Sequence, residues 1–347
     1  MPGPSHASRA THHPSHRASH RAPRSPLGAW WAQRPPAAGA AVMATGIVSV
    51  GLHLTGYETL SRIALALAGV AWVGLAADFA VRLLWERARW VAEAETPGAL
   101  TAVAATTVLG TRLSLLGWQS LAEALLALSA LLWPVLIVLV MGHWKRRMPG
   151  AVFLACVATQ GLAVLGATLA AAESTAWLAH TALVLFWLGL VLYGLALARF
   201  DLRQVTTGAG DHWVAGGAMA ISALAGAKLI AADSARLYLW NVDDRGVLRA
   251  VTVALLALDL AWYAVLLVAE VVRPRLRYDV RRWATVFPMG MTSAATLSVA
   301  AALDVPWLRT PGQVLLWMAV AAWLAVAAGA VGAARTGVRT LRSTAPR

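Results

Sequence analysis

The sequence predicts an all-α integral membrane protein with ten transmembrane helices. Composition is the first reason. Hydrophobic residues make up 59% of the 347-residue chain and charged residues 13%, where an average soluble protein is about 25% charged. Patterning is the second. The charges cluster, leaving ten apolar runs that each approach the roughly 20 residues needed to cross a hydrocarbon core. The third is the distribution of Lys and Arg. Alternate connections and both termini hold 22 of them and the opposite loops hold 5, a bias that orients membrane proteins with the basic side in the cytoplasm.

The runs are 37–55, 61–84, 98–117, 119–141, 150–172, 176–199, 213–232, 248–271, 282–303 and 312–334. An even number of spans puts both termini on one side, and the charge bias makes that side cytoplasmic. The loops after spans 1, 3, 5 and 9 are short and nearly free of cations, so consecutive spans pair as helical hairpins, five in series. The loop after span 7, "DSARLYLWNVDDRG", is longer and mixed in charge. Its Tyr238 and Trp240 are expected at headgroup level, where aromatic rings gather.

Small residues favour the odd spans. Span 1 reads "AAGAAVMATGIVSVG" and span 7 "WVAGGAMAISALAGAKLIAA", whereas span 4 reads "ALLALSALLWPVLIVLVM". Membrane helices approach closely where Gly, Ala, Ser and Thr meet. This distribution predicts an inner ring of odd helices and an outer ring of even helices facing lipid.

Two of the fifteen prolines fall inside spans, Pro134 and Pro288. Pro288 cannot donate to the carbonyl of Ala284, and its ring displaces that carbonyl. Phe287, one of five phenylalanines in the chain, sits directly at the expected bend. Arg112 in span 3 and Lys228 in span 7 are the in-span cations set away from the ends of their runs. Charges at membrane depth mark functional positions by default, with snorkelling for Arg112 and pairing with Asp233 or Asp259 for Lys228 as the structural alternatives. Asp78, Glu123, His180 and Asp259 fall on even spans, as hydrogen-bond partners between helices or near the interface.

Residues 1–36 form a separate zone rich in Pro, Ser, His and Arg. It lacks apolar periodicity, is expected to be disordered, and has no apolar core of a signal peptide. It holds five of the nine histidines (His6, His12, His13, His16 and His20), expected as a solvated basic tail beside headgroups. Residues 37–334 are the membrane domain and 335–347 a short basic tail. The single cysteine, Cys156, admits no internal disulfide or cysteine metal site and is expected in the packed core.

The net charge of +13 is explained by the cation-rich loops. No basic module with interleaved aromatics is present to bind nucleic acid. No G-x-x-x-x-G-K-[ST] pattern is present, so ATP-driven pumping by this chain is not expected. No H-E-x-x-H, paired intramembrane aspartates or Cys/His arrangement indicates an enzyme. Neither catalytic residues, metal nor cofactor is expected.

Two stretches, "MATGIVSVGL" (43–52) and "YDVRRWATVFPMGMTSAAT" (278–296), resemble the tellurite-resistance/dicarboxylate transporter family, which includes yeast malate and sulfite transporters and the plant slow anion channel. The resemblance covers about residues 35–335. It implies five hairpins around a central pore, odd helices lining it, and a homotrimer in the plasma membrane with one pore per protomer. It also implies a pore gate at Phe287, bent into place by Pro288, and pore-facing small residues at Thr45, Gly46 and Ser49. With Arg112 and Lys228 as further lining candidates, the expected activity is transport of small anions of the C4-dicarboxylate or tellurite-resistance type. The alternatives are a proton-coupled malate carrier or a sulfite exporter. A proton-coupled carrier needs a titratable group at midplane, and no odd span offers an Asp or Glu there.

Overall fold

The computed structural model describes residues 38–233, 239–274 and 278–343. Ten helices correspond to the ten runs: α1 Gly39–Leu54, α2 Glu58–Trp85, α3 Thr101–Leu115, α4 Gln119–Gly142, α5 Leu154–Glu173, α6 Ala176–Arg199, α7 Val214–Ala232, α8 Val242–Val272, α9 Trp283–Ala302 and α10 Arg309–Ser343. Nine of these, some extended by a preceding 3-10 turn, are long and apolar enough to cross a membrane; α1 is shorter. Among the described residues there is no strand, only one isolated bridge between Met148 and Phe200.

Two boundaries differ from the apolar runs for the same reason. α8 begins at Val242, six residues before its run, because Asn241 caps it by accepting the amide of Asp244 at 2.8 Å. Asp243 and Asp244 then favour the positive N-terminus of that helix. α10 runs beyond 334 into the basic segment. Charged turns interrupt an apolar run without interrupting a helix.

Burial divides the helices by parity. Within the most apolar window, α3, α5, α7 and α9 are 72%, 100%, 78% and 89% buried, while α2, α4, α6, α8 and α10 lie between 11% and 28%. In α1, only three of sixteen residues escape full burial. The odd helices are the core and the even helices its covering. The odd helices also neighbour one another in a closed cycle: α1 packs on α3, α3 on α5, α5 on α7, α7 on α9 and α9 on α1.

Each of the first four odd helices pairs with the even helix that follows it. For α9 and α10 the pairing shows in Ser293, whose hydroxyl donates to the Gly312 carbonyl at 2.8 Å. Four of the turns within these pairs are built alike. Gly56, Gly117, Ser174 and Asp304 all take positive φ, between 54° and 86°. The next amide in each turn reaches back five residues: Tyr57 to Leu52, Trp118 to Leu113, Thr175 to Ala170 and Val305 to Ala300, at 2.9–3.1 Å. This is the Schellman closure, which satisfies carbonyls that a helix end leaves open.

The turn from α7 to α8 differs. Tyr238 lies outside the described residues. Trp240 is 5% exposed and donates its indole N–H to the Leu229 carbonyl at 3.3 Å, with its ring against His180. It therefore packs against the protein. The histidine-rich tail, 1–36, also falls outside the described residues. Cys156 is fully buried, as expected.

Candidate functional site

Because each odd helix returns to the next through an antiparallel even helix, all five odd helices run in the same direction. Their N-termini meet at one end of the ring. Each helix carries about half a positive charge there, so that mouth favours anions. Four of the five enter through a 3-10 turn: Pro97–Leu100, Gly150–Phe153, Asp211–Trp213 and Val280–Arg282. Arg281 lies at the same mouth and holds the Asp279 carboxyl below the usual carboxylate range through their hydrogen bonds. Arg282 pairs with Glu270 at 2.9 Å.

The ring is nearly shut along its axis. A cavity of about 10 Å³ lies where the five odd helices converge, roughly the room one water needs. Every odd helix contributes to its wall: Ile47 and Val50 from α1, Thr107, Val108 and Thr111 from α3, Gly161 and Val164 from α5, Ile221 and Leu224 from α7, and Met291 from α9. The two threonine hydroxyls are turned back onto their own helix, Thr107 to Ala104 and Thr111 to Thr107. The wall therefore presents methyl groups.

Close approach of the helices seals the ring. A Cβ on Gly46 would stand 2.8 Å from Val108, one on Gly290 2.8 Å from Ile47, and one on Gly110 2.6 Å from Leu165. A Cβ on Gly217 would stand 2.8 Å from Cγ of Pro288. Each pair joins two neighbouring odd helices. Small residues on odd spans thus have a direct physical use.

Phe287 is 1% exposed and lies four residues before Met291. Residues four apart share a helix face, which puts Phe287 on the Met291 side of α9, one turn nearer the N-terminal mouth. The same spacing from the cavity wall brings Met43, Ala104, Val157 and Gly217 to that side. Two of the four, Ala104 and Gly217, carry almost no side chain, and at Gly217 Pro288 occupies the space a Cβ would take. Pro288 lies inside α9, and the helix continues through it.

None of the five small or cationic candidates is among the cavity-lining residues. Thr45 accepts the indole N–H of Trp323 on α10 at 2.9 Å. Ser49 donates to the Ser61 carbonyl on α2 at 2.6 Å. Gly46 lies against Val108, at the contact with α3. Arg112 is fully buried and does not snorkel: its Nε donates to Ser61 at 2.9 Å and its Nη2 to Glu58 at 2.8 Å. Nη1 of Arg112 is buried without a partner. Arg112, Ser61, Ser49 and Glu58 thus tie α3 to the first hairpin near its turn.

Lys228 makes neither of the pairings expected for it. Asp233 pairs instead with Arg245. Asp259 accepts the Thr292 hydroxyl at 3.1 Å. Among the described residues no group of three or more His, Cys, Asp and Glu gathers as a metal site.

Sequence reasoning missed one set of residues. Trp72 on α2 donates its indole N–H to Thr106 on α3, Trp133 on α4 to Thr159 on α5, and Trp323 on α10 to Thr45 on α1, all at 2.8–2.9 Å. Each threonine donates in turn to the carbonyl four residues back. In the sequence these residues show only as Trp on even spans and Thr on odd spans; the pairing could not be read because each of these even helices bonds to the odd helix of the next hairpin.

The sequence is similar over 118 residues, at 30% identity, to two uncharacterized membrane proteins of Mycobacterium tuberculosis, MT1776 of strain CDC 1551 / Oshkosh and Rv1735c of strain ATCC 25618 / H37Rv. That similarity covers 32% of this chain, and the chain spans 58% of the length of each relative. The family profile described as "Voltage-dependent anion channel" matches residues 33–331, all ten helices but the last turns of α10. The chain belongs to the voltage-dependent anion channel family, which is also the tellurite-resistance/dicarboxylate transporter family.

Proposed function

We propose that this protein conducts small anions across a cell membrane through the axis of its odd helices, with the ring of Phe287 as the gate and Pro288 setting its position. The observation that carries the reading is the cavity to which all five odd helices contribute, with Phe287 one turn away on the same face of α9. An apolar constriction of this width blocks ions by excluding their water. Parallel helix N-termini at one mouth supply the preference for anions. No Asp or Glu occupies an axis-facing position on α1, α3, α5, α7 or α9, which favours passive conduction over the proton-coupled carrier. C4-dicarboxylates and tellurite-type oxyanions are the substrate range that the family resemblance carries. A homotrimer with cytoplasmic termini completes the reading.

Anion flux in proteoliposomes tests it. Phe287→Ala removes the plug without removing a hydrogen bond, and basal flux per folded protein should rise. Phe287→Leu should give a smaller rise, because Leu keeps part of the volume. If Phe287 is only a packing residue, Ala should instead cost about 3–5 kcal/mol of stability and flux per folded molecule should stay unchanged, which would sink the gate assignment.

A further inference from the structure

Beyond the cavity, toward the end where the odd helices finish, the axis face carries a charged side chain. Lys228 lies seven residues after Ile221 and four after Leu224, both of which line the cavity. The 3.6-residue period keeps it on their face, about 6 Å farther along. It is half-buried, while Ala227 and Leu229 beside it are buried. Among the described residues nothing pairs with its ammonium. Asp233 is held by Arg245 and Asp259 by Thr292.

The same period brings two hydroxyls to this level. Thr168 lies seven residues after Gly161 and four after Val164, and its proton is committed to the Val164 carbonyl at 2.7 Å. Ser298 lies seven residues after Met291. It is 6% exposed, and its Oγ is buried without a hydrogen-bond partner. An orphaned hydroxyl at membrane depth is costly, and so is an unpaired ammonium. A bound anion relieves both.

We propose that Lys228 and Ser298 form an anion-binding site on the axis, and that it takes a monovalent anion such as chloride or nitrate in preference to a dicarboxylate. The ammonium compensates one negative charge. A dianion brings a second charge into the same low-dielectric space, and the nearest further cation by helical spacing, Arg112, is already paired with Glu58 toward α2. The site's bearing on flux rests on the conduction reading above; its occupancy does not, so binding at equilibrium is the measurement of choice.

The full chain in detergent is titrated by chloride NMR line broadening at constant ionic strength, with nitrate as competitor and gluconate as the balancing anion. Wild-type protein should show broadening that nitrate removes. Lys228→Met should weaken chloride at least about tenfold, and Lys228→Arg should retain it. Ser298→Ala, a small change on a helix whose hydroxyl bonds to nothing, should weaken it several-fold and serves where Lys228→Met does not fold. Malate should compete less well than nitrate. Chloride binding unchanged in the Lys228→Met and Ser298→Ala proteins overturns the site, and malate competing as well as nitrate overturns its monovalent preference. A Phe287→Ala protein with no added flux refutes the gate while leaving this titration to stand or fall alone.

Discussion

Gly217 shows how much a single residue decides at the contact between α7 and α9. It lies four residues before Ile221, and a Cβ there would meet Cγ of Pro288 at 2.8 Å and Cβ of Pro288 at 3.0 Å. Neither proline atom can rotate away, because the ring is fused to the backbone. Any side chain at 217 must therefore push α7 and α9 apart just where Phe287 sits. Gly217→Val should cost about 1–3 kcal/mol, as overpacked cores generally do, measured as a lower midpoint in thermal unfolding in detergent. Under the gate reading, flux per folded Gly217→Val protein should also rise. Gly69→Val is the control, since nothing lies within 4 Å of a Cβ there, and it should leave both measurements unchanged. From the sequence, Phe287 and Pro288 stood out because a phenylalanine and an in-span proline are rare in this chain. Thr45 and Ser49 were expected on the path from the family resemblance, and Arg112 for its charge at depth. The structure gives those three partners on even helices, and residue type alone could not distinguish a polar group facing a path from one facing a neighbouring helix.

At the scale of elements, the hairpins are joined into a ring by polar contacts that hydropathy cannot show. Trp72, Trp133 and Trp323 each bridge from an even helix to the odd helix of the following hairpin. Between α8 and α9 the corresponding link is Asp259 with Thr292. The threonine acceptors are available because each back-bonds to its own helix and keeps lone pairs free, a habit of Thr in membrane helices. Interhelical hydrogen bonds in membranes average about 0.6 kcal/mol, so each link is modest and the set is what matters. Trp72→Phe, Trp133→Phe and Trp323→Phe keep most of the ring volume and lose the donor. Each single change should lower the unfolding midpoint slightly, and the triple variant should lose roughly the sum, about 2 kcal/mol. Trp307→Phe, at an indole that is 70% exposed, should have no effect. Equal midpoints for the triple variant and wild type would show that the links are incidental.

For the molecule as a whole, the succession of long apolar helices and the segregation of odd from even helices were readable from the sequence, because lipid enforces them. A lipid-facing helix must be apolar over its whole length, and a helix that packs against others on every side must be small somewhere. α4, 28% buried, is rich in Leu, Val and Trp, whereas α5, 100% buried, is rich in Ala and Gly. What lipid does not enforce is the rotation of each odd helix about its own axis. The hydrophobic pattern of a helix buried on all sides has no phase to read, so the cavity wall of Ile47, Thr107, Val164, Ile221 and Met291 could not be picked out in advance.

Orientation, by contrast, rests on charge alone, and it admits a direct test. Arg146 between α4 and α5 and Asp304 between α9 and α10 are both exposed and lie at opposite ends of the bundle, since one follows an even helix and the other an odd one. The native Cys156 is fully buried and can be replaced by Ser to leave a clean background. If the 22-to-5 bias of Lys and Arg orients the chain by the positive-inside rule, a membrane-impermeant maleimide added to intact cells should label Asp304→Cys and spare Arg146→Cys. Arg146→Cys should then react once the membrane is opened. The reverse pattern would place the parallel N-termini of the odd helices, and with them the anion-favouring mouth, on the outside. Labelling of both positions in intact cells would mean that the two loops do not lie on opposite sides, and the ten-span topology would fail with it.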